Sequence, residues 1–246
     1  MVNTWDGDSE HGRYSGRVAK SSVSKLVPKV PPLPSVPGMS RRQQFSASTK
    51  RSLVEVAERL FTEHGYASTS LDAIVAGAEV TKGALYHHFS GKQALFEVVF
   101  EKVEGATAKR IDAAMRETKD PWEQARAGLR TFLDAVQQPT YRRIVVQEGP
   151  AVLGYQRYRE QEERSTFTVV EDIVAAVLRA DGRTVDDEIV ATFARLFFGA
   201  MSAAGESVTE AGDPEEAADR VELAVTYLIT GIRTLIEQDI RVEDMR

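Results

Sequence analysis

The stretch TKGALYHHFSGK, Thr81 to Lys92, puts a glycine, a tyrosine, two adjacent histidines and two lysines on one short element. Side chains of these types serve three chemistries: imidazoles ligate metals, aromatics pack cores, and lysine, tyrosine and histidine donors contact the phosphates and base edges of a duplex. The metal reading fails on geometry. His87 and His88 are neighbours, so on a helix they point about 100° apart, whereas ligands sharing one face need a spacing of three or four. The chain has no cysteine, which removes thiolate metal sites, disulfides and a cysteine nucleophile. It also carries no HExxH, no phosphate-binding GxxxxGK(S/T) and no GxSxG. No catalytic residue, metal or cofactor is therefore expected.

A surface that reads nucleic acid gives each of these residues a use. Lys82 can donate to guanine O6 or N7, and Gly83 lets a helix start approach the duplex closely. Tyr86, His87 and His88 can reach phosphate oxygens, and Tyr86 also a thymine methyl. Lys92 can pair with a phosphate beside the first N–H groups of the next helix. Leu85 and Phe89, four apart, would face inward. Two bland alternatives stand beside this. Tyr86 could serve the core, and Lys82 and Lys92 taken singly are ordinary solvated charges.

The surrounding pattern supplies the elements that would position them. From about Ser48, Leu53, Ala57, Leu60, Phe61 and His64 fall on one helical face, with Lys50, Arg51, Glu55, Glu58 and Arg59 opposite. His64 reads as a partly buried histidine at the helix end, and Gly65 as the stop. Thr69-Ser-Leu-Asp72 has capping-box-like spacing for a short helix that buries Leu71, Ile74 and Val75. Thr81 caps a second short helix ending near Phe89. Ser90-Gly-Lys-Gln93 is another capping box, opening a long helix to about Ala114. Two short helices joined by a tight turn behind a longer amphipathic one make a helix-turn-helix, at about 70–89. Helices continue at about 121–137, 140–158 with a break at Gly149-Pro150, 160–180, 185–211 and 214–238, the last with Pro214 at its first position. No alternating run reads as a strand. The expected fold class is all-α: an N-terminal three-helix helix-turn-helix domain at 47–107, then a helical bundle at 120–246.

Residues 1–40 are rich in Pro, Ser and Lys and poor in bulky apolar side chains, so a disordered tail is expected there. Met39, directly after this stretch, is a candidate translation start, which would leave the tail untranslated. The net charge of −6 is unevenly spread: residues 1–95 hold 12 basic and 8 acidic residues, and the remainder 19 and 29. That asymmetry suits a polyanion-facing end joined to a domain with another job. It argues against an architectural, non-specific DNA binder, which would be basic throughout. No apolar run approaches the ~20 residues that span a bilayer, and no signal peptide is visible, so a cytoplasmic protein without membrane attachment is expected.

The segment AERLFTEHGYASTSLDAIVAGAEVTKGALYHHFSGKQALF resembles the DNA-binding segment of the tetracycline-repressor (TetR) family of bacterial regulators. The likeness rests on LF-x-x-x-GY-x-x-TS, on the face of LDAIVAGA and on T-K-G-x-LYHHF-x-x-K. It implies a three-helix DNA-binding domain followed by a variable helical domain that binds an inducer and dimerises. Carried over by position, it implies DNA contacts at Thr69, Ser70, Thr81, Lys82, Gly83, Tyr86, His87, His88 and Lys92. Ala84 departs from the bulky or basic residue common at its position, which leaves specificity resting more on Lys82. Arg41 and Arg42, ahead of the first helix, are placed to reach a minor groove. The resemblance also implies a repressor rather than an activator.

In the second domain, QEGPAVLGYQRYRE resembles a segment of one branch of these regulators. A Gly-Pro break beside aromatics is a reasonable pocket wall. Tyr141, Gln147, Tyr155, Tyr158, Phe167, Phe193 and Phe197 are the candidate lining, for an apolar or aromatic ligand with one or two polar handles; taken residue by residue, most are more readily simple core aromatics. The last two helices carry long apolar faces, Ile189, Phe193, Leu196, Phe197 and Ala200 on one and Val221, Ala224, Val225, Leu228, Ile232 and Leu235 on the other. Paired with a second copy they would form a four-helix homodimer interface presenting two recognition helices to a palindromic operator. The long helix at 91–114 would then be the lever between reading head and small-molecule inducer.

Overall fold

Leu53, Ala57 and Phe61 recur at intervals of four, and all three are fully buried along α1 (Arg41–Ser68). The computed structural model describes residues 41–240, so the expectations for the tail and for a start at Met39 lie outside the described residues. Among those residues every regular element is helical. α1 begins earlier than the expected Ser48. The sequence RRQQFSAS holds no helix breaker, and the Ser48 hydroxyl, instead of capping, donates to the Phe45 carbonyl at 2.9 Å inside the helix. Gly65 bends the chain out of α1 with φ of 79°, in the left-handed region that favours glycine. His64 is exposed at this bend, not partly buried as its spacing suggested.

α2 (Leu71–Gly77) and α3 (Lys82–His88) follow. The cap of α2 is Ser70, whose hydroxyl accepts from the Ala73 amide at 3.1 Å; the expected capping box one residue earlier does not form. Thr81 caps α3 in the expected way, accepting from the Ala84 amide at 3.1 Å. Ile74 of α2, Leu85 of α3 and Phe89 close over α1 and α4 (Lys92–Met115), whose Leu95, Phe96, Val99 and Phe100 are fully buried. Phe61, Tyr66 and Phe96 form a ring cluster with centroids 5.3 to 5.8 Å apart. Burying one such phenylalanine contributes roughly 2–3 kcal/mol, so this cluster holds the three-helix head to α4. α4 starts at Gly91 with no side-chain cap, so the second expected capping box is also absent.

Beyond a turn come α5 (Pro121–Gln137) and α6 (Pro139–Tyr141), then π-helical turns at Arg142–Glu148 that run into α7 (Gly149–Leu153). The expected break at Gly149-Pro150 is thus no interruption. Pro150 sits in the first turn of α7, where its missing N–H costs little, and the wider turns lie upstream of it. The chain reverses only at Gly154, with φ of 79°. α8 (Tyr155–Glu162), a second π-helical turn (Glu163–Phe167) and α9 (Thr168–Leu178) lead to α10 (Asp187–Glu210) and α11 (Pro214–Glu237). Core contacts run without a gap from the head through Phe100 to Leu133, Val136, Ile144 and Val145 of the bundle. A smaller apolar cluster, Val174, Leu178, Val190 and Ala194, joins α9 to α10.

Gly65 is the position this fold tolerates least. A Cβ there would be strained by its φ and would lie 2.6 Å from Glu148 Oε1. Gly65→Ala should destabilise the protein by about 1 kcal/mol or more, measured as a lower midpoint in urea unfolding.

Candidate nucleic-acid interface and ligand cavity

The head presents one edge of α3 outward. Thr81, Lys82, Gly83 and His87 are exposed, and Tyr86 is 59% exposed, which removes its alternative use in the core. Leu85 and Phe89 face inward as expected and anchor the helix. A Cβ at Gly83 would meet only the Thr81 hydroxyl, at 3.8 Å, so nothing inside the fold requires glycine there. Lys82 is exposed but engaged: its Nζ lies 2.7 Å from an Asp72 oxygen on α2, and this hydrogen bond raises its pKa. An exposed pair of this kind is worth little, so a phosphate or base edge can replace Asp72. His88 is half-buried, and desolvation, with the charges of His87 and Lys50, lowers its pKa. It is neutral at pH 7 and offers one donor and one acceptor. Lys50 of α1, which the spacing placed on the solvent face only, joins this edge with its Nζ 5.9 Å from the Phe89 ring centre. Ser70 is exposed at the start of α2. Arg42 is exposed in the first turn of α1, while the Arg41 side chain lies outside the described residues.

Two of the nine expected DNA contacts are corrected. Thr69 is 3% exposed, and its hydroxyl lies 2.8 Å from the Gly65 carbonyl oxygen and 3.1 Å from that of Leu60. It closes the bend after α1 and presents no side chain to a duplex. Lys92 is half-buried; its Nζ donates to the carbonyls of Tyr66 at 2.7 Å and Thr69 at 3.0 Å, and stands over the Tyr66 ring at 4.3 Å. With its donors spent on backbone carbonyls around the bend where α1 ends, Lys92 is a cap rather than a phosphate clamp.

The head is wired to the bundle at the same bend. Glu148, at the end of the π-helical segment, accepts from the Tyr66 amide at 2.8 Å, with Arg143 at 3.5 Å on its other oxygen. Three further links tie α4 to the segment after it: Gln93 donates to the Val152 carbonyl at 2.7 Å, Arg157 reaches Glu97 at 3.2 Å, and Gln161 reaches Glu101 at 2.7 Å.

Inside the bundle lies a cavity of about 120 Å³ between α4, α5, the α6–α7 segment and α8 to α11. Tyr141, Tyr158, Phe193 and Phe197 line it as expected. Gln147 and Tyr155 do not: both point to solvent, because the π-helical turns and the reversal at Gly154 rotate them away from the interior. Phe167 packs edge-on to Phe198 at 5.5 Å within the core between α9 and α10, so it too is corrected. The lining also holds three carboxyl groups that the spacing argument missed, Glu104, Glu162 and Glu206, the first two of them buried. Glu104 is 2% exposed and accepts from Tyr141 at 3.2 Å, from Thr166 at 2.7 Å and from Ser165. Burial raises its pKa against the pull of these hydroxyls. Glu162 is 5% exposed; desolvation, aided by the nearby Glu104 charge, pushes its pKa up to about 7. A signal for Glu104 was present in the chain, since it falls on the stripe of Phe100, Ala108 and Ile111. Among the described residues no group of three or more His, Asp or Glu is placed to hold a metal ion, and no helix is long and apolar enough to cross a membrane.

Comparison with known proteins decides the family. The model for bacterial regulatory proteins of the tetR family matches residues 53–99, and that for the tetracyclin repressor-like C-terminal domain matches residues 122–232. Together they take in more than half of the chain. The chain belongs to the tetR family. The Tn10 TetC protein of Escherichia coli is 32% identical over 119 residues, 47% of this chain and 58% of that protein. The regulator AcrR of Shigella flexneri is 42% identical over 64 residues, 26% of this chain and 30% of that one. The chain therefore spans about half or less of the length of these curated relatives. A tetR-family transcriptional regulator from Pectobacterium atrosepticum superposes with a TM-score of 0.67 and 27% identity, over 79% of this chain and 97% of that one. RolR in complex with its ligand resorcinol superposes with a TM-score of 0.58 at 19% identity, over 78% and 95%, and shares the fold.

In this tetR-family chain the raised carboxyl of Glu162 has a consequence for stability. With a pKa of about 7 in the fold against an ordinary 4.5, the folded state holds more protons than the unfolded state between these values. The protein therefore loses stability as pH rises through that window. Thermal unfolding from pH 5 to 8 should show a falling midpoint, and Glu162→Gln should flatten the fall.

Proposed function

We propose that this chain is a sequence-specific DNA-binding regulator of transcription, a repressor that binds a palindromic operator as a homodimer and is released by a small molecule. The observation that carries this reading is the exposed edge of α3, Lys82, Gly83, Tyr86 and His87, held out by a buried Leu85 and Phe89. These side chains are of the types that meet phosphates and base edges. Ser70, Thr81 and His88 flank the edge, with Lys50 beside them, and supply further donors. The regulator function described for relatives such as AcrR supports the same reading.

The second copy would seat on α10 and α11. Tyr227 is 80% exposed, and Leu196, Leu223 and Leu228 are exposed with it, beside the small residues Gly199, Ala200, Ala203 and Gly231. Exposed apolar side chains beside small residues suit an isologous pairing of two helices from each subunit. Such a dimer offers two α3 helices to half-sites about 34 Å apart or a multiple of it.

Release would follow from linkage. Val145 and Val146 line the cavity, and three residues on Glu148 holds the Tyr66 amide; Glu104 lines it from α4, whose Lys92 holds the carbonyls of Tyr66 and Thr69. A ligand preferring a shifted α4 would reorient both heads. Weakening operator binding about 100-fold needs a coupling of roughly 3 kcal/mol, within the ordinary range.

Fluorescence anisotropy with DNA from upstream of the gene against random DNA at fixed salt tests the proposal, and equal affinities would overturn it in favour of an architectural binder. Lys82→Ala and Tyr86→Ala should each weaken operator binding by about 1–3 kcal/mol without lowering the unfolding midpoint. Lys92→Met should lower that midpoint instead, because it unseats the end of α1. Leu228→Glu should give a monomer in sedimentation and lose operator affinity with it.

A further inference from the structure

The cavity holds three acidic side chains, Glu104, Glu162 and Glu206, and no lysine, arginine or histidine among its lining residues. The rest of its wall is apolar or aromatic, with a few hydroxyls. A negatively charged effector would enter an apolar chamber that offers it acidic side chains and no cation, so carboxylate and phosphate ligands are disfavoured. A neutral aromatic would leave the carboxyl groups as they are. A cation gains from both features. It supplies the opposite charge that buried carboxylates lack, and the rings of Phe132, Tyr141, Tyr158, Phe193, Phe197 and Phe198 offer it negative faces.

The two buried acids are not equivalent. Glu104 already accepts from Tyr141, Ser165 and Thr166, all hydroxyl donors and none of them charged. Glu162 is more weakly held: Ser202 stands 3.4 Å from one oxygen and Arg159 3.5 Å from the other, with Tyr158 as a further donor. Among the described residues Arg159 is the cation paired with it. That side chain stays outside the cavity lining, is partly exposed and leans over the Phe198 ring at 5.6 Å. Glu162 is therefore the carboxyl free to turn to a ligand, and Glu104 on α4, whose burial favours the neutral acid, joins the negative field once a bound cation offsets that burial.

We infer that the effector of this regulator is an amphipathic cation, a protonated amine on a compact aromatic or apolar body, with Glu162 as its counter-ion and Glu104 reinforcing it. This deepens the ligand-responsive reading above and rests on it for the word effector; the binding preference itself belongs to the protein alone. Glu162 must ionise to pair, so a permanently protonated amine should bind more tightly at pH 8 than at pH 6. Arg159 would compete with the ligand, Glu206 would add to the attraction, and Tyr141 and Tyr158, both with raised pKa, stay neutral throughout.

Isothermal titration of the ligand-free full chain with a matched series tests this: 2-phenylethylamine, 2-phenylethanol and 3-phenylpropanoate, one ring each to suit the cavity. The amine should bind at least tenfold more tightly than the alcohol, and the carboxylate should not bind. The amine's advantage should grow from pH 6 to pH 8. Glu162→Gln, shown folded by circular dichroism, should erase the advantage while leaving alcohol binding in place; Glu104→Gln should reduce it. An alcohol or carboxylate that binds as well as the amine, an advantage that survives Glu162→Gln, or no binding by any of the three at millimolar concentration overturns the inference. Operator binding by anisotropy is measured without these ligands, so the failure of one reading is told apart from the failure of the other.

Discussion

The arrangement of this protein turns on the backbone groups at the bend where α1 ends. A helix that stops at a glycine leaves carbonyls, and the resumed chain an amide, that must find partners once the site is covered. Here they are met by two side chains of opposite charge from different parts of the chain: Lys92 takes the carbonyls of Tyr66 and Thr69, and Glu148 takes the Tyr66 amide. Charge-assisted bonds of this kind are stronger than neutral ones, and each leaves a costly orphan if broken. The position of α2 and α3 relative to the bundle is thus held by these two residues together with the Phe61, Tyr66 and Phe96 rings and the buried Ile74, Leu85 and Phe89. Gly65 is what admits Glu148 to the bend.

The same two elements wall the cavity. α4 carries Lys92 at its start and Glu104 three turns on; the π-helical segment carries Val145 and Val146 inward and Glu148 toward the head. Gly149 lets this segment press against α4, since a Cβ there would fall 2.8 Å from the Phe100 ring and 3.2 Å from the Ile144 carbonyl oxygen. The cavity wall and the support of the head are thus built from the same two packed elements.

Much of the head was legible in the chain because its determinants are local. The spacing of Leu53, Ala57 and Phe61, the cap at Thr81 and the inward pair Leu85 and Phe89 each depend on neighbours within four residues, and each is found as expected. The caps at Thr69 and Ser90 were misplaced by the same local reasoning: Ser70 takes the first cap, and Gly91 stands at the second with no side-chain bond. Lys92 looked like a phosphate contact since its partners lie 23 and 26 residues away, beyond any spacing rule. The pocket aromatics divided for a related reason. Tyr141, Tyr158, Phe193 and Phe197 face inward, but the wider turns at Arg142–Glu148 and the reversal at Gly154 shift the helical phase, and Gln147 and Tyr155 end on the surface.

Helical periodicity and the motif TKGALYHHF by themselves determined an all-α chain with a helix-turn-helix near its start, because amphipathic stripes and caps are written in short-range order. Only the tertiary structure decided that Lys92 and Thr69 serve the fold, that Glu104 and Glu162 share one cavity, and that α10 and α11 keep an apolar face uncovered. Those outcomes depend on which distant surfaces meet and exclude water, and no local spacing encodes that.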